Sequence, residues 1–281
     1  MAAAAMTDPA IVTTHVGPIQ AVLLGIVQGV TEFLPVSSDG HLAVGQRLLH
    51  TGESLGLTVL LHTGTLFATA VVFRRDIAAS LRELVSSARD PSRLRRDPRG
   101  EELLAIVCAS IPTAVIGLVL KKSVERWTSS MWVVGVCFLG TAAILVASRW
   151  GKTRDPWRWT PTRAFIIGVA QGAAVLPGLS RSAMTLGVAL LLGAPSAEAF
   201  RFSFLIAIPA VGGAILLELG HHGAIASAGG MNGIAGAAVA FVAGWAALIA
   251  LRGVISRGRL WQFAFYVTPV AFATLIYGLF R

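Results

Sequence analysis

Six apolar stretches, residues 57–73, 103–120, 132–148, 200–217, 233–251 and 262–280, are each long enough to cross a lipid bilayer. A helix rises about 1.5 Å per residue and hydrocarbon is about 30 Å thick, so about 17–25 apolar residues suffice. Backbone amides buried in lipid must pair within their own segment, which makes each stretch a helix. The rest of the composition agrees, with 55% hydrophobic and 13% charged residues, against about 25% charged in soluble domains. The expected fold class is therefore an all-α integral membrane protein, with residues 1–281 forming one membrane domain.

A net charge of +9 raises the question of nucleic acid, and the placement of the charge answers it. Eight of the 23 Lys and Arg residues lie in residues 74–99, five in 149–163 and three in 252–259. Basic residues gathered in short connections between spans mark cytoplasmic loops. No basic stripe interleaved with aromatics is present, so no nucleic-acid partner is expected. Cys108 and Cys137 fall inside spans and read as small apolar fillers. The first 17 residues lack a positive n-region, so no cleaved signal peptide is expected.

Two segments resemble each other. GIVQGVTEFLPVSSDGHL runs from Gly25 to Leu42, and GVAQGAAVLPGLSRSAMTL from Gly168 to Leu186. Gly25, Gln28 and Gly29 match Gly168, Gln171 and Gly172, and Leu34, Pro35 and Ser38 match Leu176, Pro177 and Ser180. The chain reads as a duplication, with residues 18–150 and 161–281 as its halves. Both copies are short apolar runs broken by Pro and Gly, a pattern that suits re-entrant segments better than spans. Broken backbone at membrane depth survives only inside protein or around an aqueous cavity, and matched interruptions in two halves point to a midplane site. If each broken segment is a hairpin returning to its own side, all three basic loops fall on one face of the membrane. An odd number of spans then separates the two copies, which inverts the second. The reading is six full transmembrane helices plus two re-entrant helical hairpins in an inverted-topology repeat.

Ionisable residues at membrane depth are costly and mark function. Glu32, Asp39 and His41 lie in the first hairpin and Arg181 in the second. If the two tips meet, Glu32, Ser37, Ser38 and His41 approach Ser180, Arg181, Ser182 and Thr185. Arg181 presents a planar fork suited to phosphate oxygens. Gly40 and Gly178 permit close backbone approach, and the short helices after each break aim positive dipole ends at the same point. This describes an anion site in a lipid setting. Glu32 and a Ser/His pair extend it to phosphoryl transfer. Ser38 is the expected nucleophile, with Glu32 or His41 as base. Direct attack by water or by His41 remains the alternative.

The two segments resemble the signature motifs of the bacterial undecaprenyl-diphosphate phosphatase family, associated with bacitracin resistance, and FRFSFLIAIPA at Phe200–Ala210 resembles it too. The likeness covers nearly the whole chain. It implies removal of the terminal phosphate from undecaprenyl diphosphate, at the outer face of the bacterial cytoplasmic membrane, to recycle the lipid carrier for cell-wall synthesis. It implies catalytic roles for Glu32, Ser38, His41 and Arg181, and substrate contacts from Gln28, Ser37, Gly178, Ser180, Ser182 and Thr185. A divalent cation, Mg or Ca, is expected, with no dedicated cage of carboxylates to hold it. Three positions depart from the family pattern: Gln28 where many members have a second Glu, Asp39 in place of Ser or Thr, and Ala183 in place of Gly. The competing function is a transporter or flippase for polyprenyl phosphate, since inverted repeats with broken helices also serve alternating access. Oligomeric state is open, with a homodimer as the assembly to test.

Other polar residues have plainer readings. His62 and Thr63 lie in a span, where a lone His is most often structural, with a place lining the cavity as the alternative. Glu198 and Arg201 are expected to form a local i, i+3 pair. The 93–99 basic cluster is expected to meet anionic membrane lipid. Glu218, His221 and His222 are expected in a solvated outer loop.

Overall fold

The computed structural model describes residues 16–51, 54–128, 130–219 and 230–280. The terminal residues 1–15 and the pair His221 and His222 lie outside them. Twelve α-helices and no strand are found among the described residues. The first half contains α1 (Pro18–Phe33), α2 (Ser38–Leu48), α3 (Leu55–Val72), α4 (Arg74–Arg89), α5 (Arg93–Arg96), α6 (Pro98–Thr128) and α7 (Met131–Ala147). The second contains α8 (Pro161–Ala173), α9 (Arg181–Leu191), α10 (Ser196–Leu219), α11 (Gly230–Ser256) and α12 (Ala264–Leu279).

Five helices are long and apolar enough to cross a membrane, and a sixth span arises if α3 and α4, bent by 78°, count as one. The apolar windows locate these spans but underestimate some of their lengths. For instance, α6 extends from 98 to 128 because charged residues at both ends are tolerated where a helix leaves hydrocarbon. The 74–99 connection, expected as a loop, is largely helical. Its α4 is folded back against α6, and Arg93 donates to both oxygens of Glu83 at 3.0 Å. Much of the outer surface is apolar, including Ile19, Val22, Leu23 and Ile26 on α1. A protein surrounded by lipid tolerates such a surface.

Each broken segment is a pair of short helices. α1 begins at Pro18, whose missing N–H is an orphan position anyway, and stops before Pro35, which keeps Leu34 extended at ψ 142°. α8 begins at Pro161 after the Thr160 cap and ends before Pro177. The repeat motif explains how the hairpins are seated. α1 packs against α11 of the other half, and α8 against α6 of the first. A Cβ at Gly29 would lie 2.6 Å from the Ala240 carbonyl, and one at Gly172 2.8 Å from the Ile116 side chain. The paired Gly-x-x-Gln-Gly motif is thus a close-packing surface in both halves, as small residues are in membrane helix pairs. α3 packs against α10 and α7 against α12.

Candidate active site

The tips of the two hairpins meet. Arg181, the first residue of α9, reaches Glu32 near the end of α1, with Nη2 2.5 Å from Oε1. The two residues are 149 positions apart in the chain. The carboxylate is buried and its second oxygen is crowded. Ser38 Oγ donates to Oε2 at 2.7 Å and Gln28 Nε2 donates at 3.0 Å. A buried carboxylate needs such company, because breaking a buried pair by removing one partner costs about 3–5 kcal/mol. Arg181 Nη1 is buried with no hydrogen-bond partner, leaving one face of its fork unspent. A small cavity of about 10 Å³ adjoins Glu32 and Arg181, lined also by Thr65, Thr69, Ala207 and Val211. That is about enough room for one water.

Ser38 is placed by the break itself. Ser37 takes the N-cap position with φ 70°, a conformation disfavoured for non-glycine residues, and Ser38 begins α2 directly opposite Glu32. Ser37 is buried, and its carbonyl accepts a hydrogen bond from His41 Nδ1 at 2.7 Å. A carbonyl only accepts, so Nδ1 carries the proton and Nε2 is left as an acceptor. That acceptor faces the Tyr266 hydroxyl on α12 at 2.8 Å, and the imidazole stacks on Tyr266 and meets Phe138 edge-on. His41 is thus turned toward α12, while Glu32, Ser38 and Arg181 converge on one another.

The second tip uses its hydroxyls internally. Ser180 caps α9, its Oγ accepting from the Ala183 amide at 3.3 Å, while its own amide donates to Thr141 Oγ1 at 2.9 Å. Ser182 Oγ lies 3.1 Å from Ser180 Oγ and donates to the Leu34 carbonyl at 3.3 Å, tying one tip to the other. Thr185 Oγ1 donates to the Arg181 carbonyl at 3.0 Å. All three residues are buried. Gly178 has φ +100°, and a Cβ there would collide with the Val134 carbonyl, so packing against α7 is enough to require glycine. A Cβ on Gly40 would lie 2.5 Å from the Phe138 ring. Gln28 is fully buried and spends its amide nitrogen on Glu32, with its Oε1 unpartnered.

Two residues of the site were underweighted or missed from sequence. His62 on α3 points Nε2 between Glu32 Oε2 and Asp39 Oδ1, 3.6 Å from each. An ionisable residue inside an apolar helix was signal enough to flag it. Tyr266, one of only two tyrosines, carried no motif and is found only by its contact with His41. Glu198 and Arg201 do pair, at 2.9 Å, and Arg201 also reaches Glu102 and Asp76, joining α10 to α6 and α4 away from the tips. Glu218 pairs with Lys121 at 2.7 Å. No group of three or more His, Cys, Asp or Glu side chains suited to a metal ion occurs among the described residues.

Comparison with known proteins gives the chain a family. The sequence profile described as "Bacitracin resistance protein BacA" matches residues 21–273. A protein of Desulfosudis oleivorans named undecaprenyl-diphosphatase is 42% identical over 275 residues, covering 93% of this chain and 99% of its own. A protein of the same name from Korarchaeum cryptofilum is 38% identical over 262 residues, covering 91% and 97%. Another from Desulforapulum autotrophicum is 38% identical over 271 residues, covering 92% and 98%. The match runs through both hairpins and every long helix, and on that extent the chain belongs to the bacitracin resistance protein BacA family.

Proposed function

We propose that the protein hydrolyses a polyprenyl diphosphate, undecaprenyl diphosphate in the cell, to the monophosphate and inorganic phosphate, returning a lipid carrier to cell-wall synthesis. One observation carries the reading. A single buried carboxylate, Glu32, holds the Ser38 hydroxyl on one oxygen and the Arg181 guanidinium on the other. Anion binding alone calls for the guanidinium, and the hydroxyl held by a base adds a nucleophile.

In this mechanism Ser38 Oγ attacks the terminal phosphorus while its proton passes to Glu32 Oε2. The P–O–P bridge breaks and the lipid monophosphate leaves. Arg181 stabilises charge on the equatorial oxygens with its free Nη1, while Nη2 keeps its hold on Glu32. Once Glu32 has given up that proton, water attacks the phosphoseryl group. Glu32 takes a proton from the water and returns it to Ser38 Oγ as the Ser–O–P bond breaks, giving inorganic phosphate. His41, held by Ser37 and Tyr266, organises the turn that presents Ser38. The divalent cation expected on charge grounds is read as arriving with the diphosphate oxygens.

The architecture proposed is six full spans and two re-entrant hairpins in an inverted repeat. The reciprocal packing of α1 on α11 and α8 on α6 supports it. The basic connections support a cytoplasmic position for residues 74–99, and with it an entrance to the first hairpin on the outer side of the cytoplasmic membrane. Phosphate release from farnesyl diphosphate by detergent-purified protein tests the activity. Release by wild type that collapses in Arg181→Ala supports it. A folded wild type that releases none, with Mg supplied, overturns it in favour of transport.

A further inference from the structure

Resting on the phosphatase reading above, we propose that His62 holds the proton given up by the attacking hydroxyl, received through Glu32, and that Asp39 stabilises the imidazolium formed. His62 is a positioning residue in this sense, acting on the reaction only through Glu32.

The orientation of the ring is the first argument. Nδ1 lies 2.9 Å from the Thr58 carbonyl, so it is a donor, and the bare nitrogen of the neutral ring is Nε2. That nitrogen sits 3.6 Å from Glu32 Oε2, the oxygen that accepts from Ser38, and 3.6 Å from Asp39 Oδ1. A proton moving from Ser38 to Glu32 therefore arrives beside an empty acceptor.

Charge balance is the second. The groups facing His62 are Glu32 from α1, Asp39 from α2 and Arg181 from α9, two negative charges against one positive. The parts of α10 and α11 packed on this side of α3, residues 207–212 and 236–244, contain no titratable residue. A proton left on Glu32 would remove the partner of a buried guanidinium, which is expensive. Passed to Nε2, it leaves the Glu32–Arg181 pair intact and brings the cluster to two charges of each sign. In the hydrolytic step the proton that Glu32 takes from water is the one Ser38 Oγ regains. The proton on His62 then returns to solvent before the next turnover.

The test is kcat against pH between about pH 5 and 8, the range in which histidine changes charge, with farnesyl diphosphate as substrate. His62 must be neutral to receive the proton, so wild-type kcat falls as pH is lowered. His62→Gln is expected to lower kcat about 10- to 100-fold, leave KM within about threefold, and flatten that fall. Asp39→Asn removes a carboxylate that favours the imidazolium, so the fall moves to lower pH. Wild-type kcat and an unchanged profile in His62→Gln overturn the proposal, as does loss of an alkaline limb, which would make His62 a donor. If His62→Gln is not monodisperse in detergent, Asp39→Asn decides alone, and an unmoved profile overturns it. Wild type releasing no phosphate is a failure of the phosphatase reading. Release by wild type with an unaltered His62→Gln defeats the proton role only.

Discussion

The two hairpins begin from the same motif and end with different chemistry. Gln28 and Gln171 are equivalent in the repeat, yet Gln28 donates to the Glu32 carboxylate and Gln171 to Thr113 Oγ1 and the Ile206 carbonyl, 3.2 Å from each. Ser38 and Ser180 are equivalent too, yet one is bound to a carboxylate and the other caps a helix. The difference arises from one substitution of character. The first hairpin places Glu32 at its tip, and the second places no acid there. Where an acid is present the polar side chains converge on it. Where it is absent they satisfy broken backbone, as buried donors and acceptors must. The two hairpins share a motif, and the cluster around Glu32 draws its side chains from the first of them plus a single guanidinium from the second.

The sharpest way to break this comparison is to mutate the equivalent serines. Ser38→Ala is expected to lower kcat by more than about 10³-fold, as loss of a nucleophile does. Ser180→Ala is expected to keep activity within about tenfold and cost about 1 kcal/mol of stability as a lost helix cap. Steady-state phosphate release and a thermal melt in detergent separate the two. Equal losses at both positions would mean that both tips present hydroxyls to the substrate.

Arg181→Ala comes next, with kcat lower by about 10²–10³-fold, the size seen when a charge-stabilising donor is removed. Arg181→Lys is expected to restore little, since an ammonium cannot hold Glu32 and a phosphate through one planar fork. A lysine variant of near-normal rate would show that charge alone is required.

Substitution at the packing glycines sharpens the comparison from the other side, because there the halves behave alike. Gly29→Ala and Gly172→Ala are each expected to cost about 1–3 kcal/mol through overpacking, with no difference in KM. A melt that separates them strongly would show that the two hairpins are not seated equivalently.

The smallest contrast is between the glutamines. Gln28→Ala is expected to lower kcat about tenfold by loosening Glu32, with little loss of stability. Gln171→Ala is expected to keep kcat per folded molecule and lose about 1 kcal/mol, the size of a lost buried hydrogen bond. Reversal of these two effects would undo the assignment of the catalytic role to the first hairpin.

Much of the fold was legible because hydrocarbon is a demanding solvent. Apolar runs had to be helices, Pro35 and Pro177 had to break them, and breaks had to be shielded by protein. Glu32 and Arg181 stood out since charge in an apolar segment needs a partner, and they are partners. His41 and His62 show the limit. The motif drew attention to His41, which turns to Tyr266, while the less remarked His62 faces the carboxylates. Nothing local distinguishes them, because ring direction depends on which helix packs alongside.

The sequence by itself determined the solvent this chain folds in, where its helices lie and break, the duplicated motif, and the short roster of ionisable residues inside them. Those follow from transfer free energy and backbone hydrogen bonding, which act locally. Only the tertiary structure decided which polar groups met. Thr141 took the Ser180 amide, Leu34 took the Ser182 hydroxyl, and Glu32 took the Arg181 guanidinium. Each donor there had more than one acceptor of the right chemistry in the sequence. The packing of α1 on α11 and α8 on α6 brought one of them within reach.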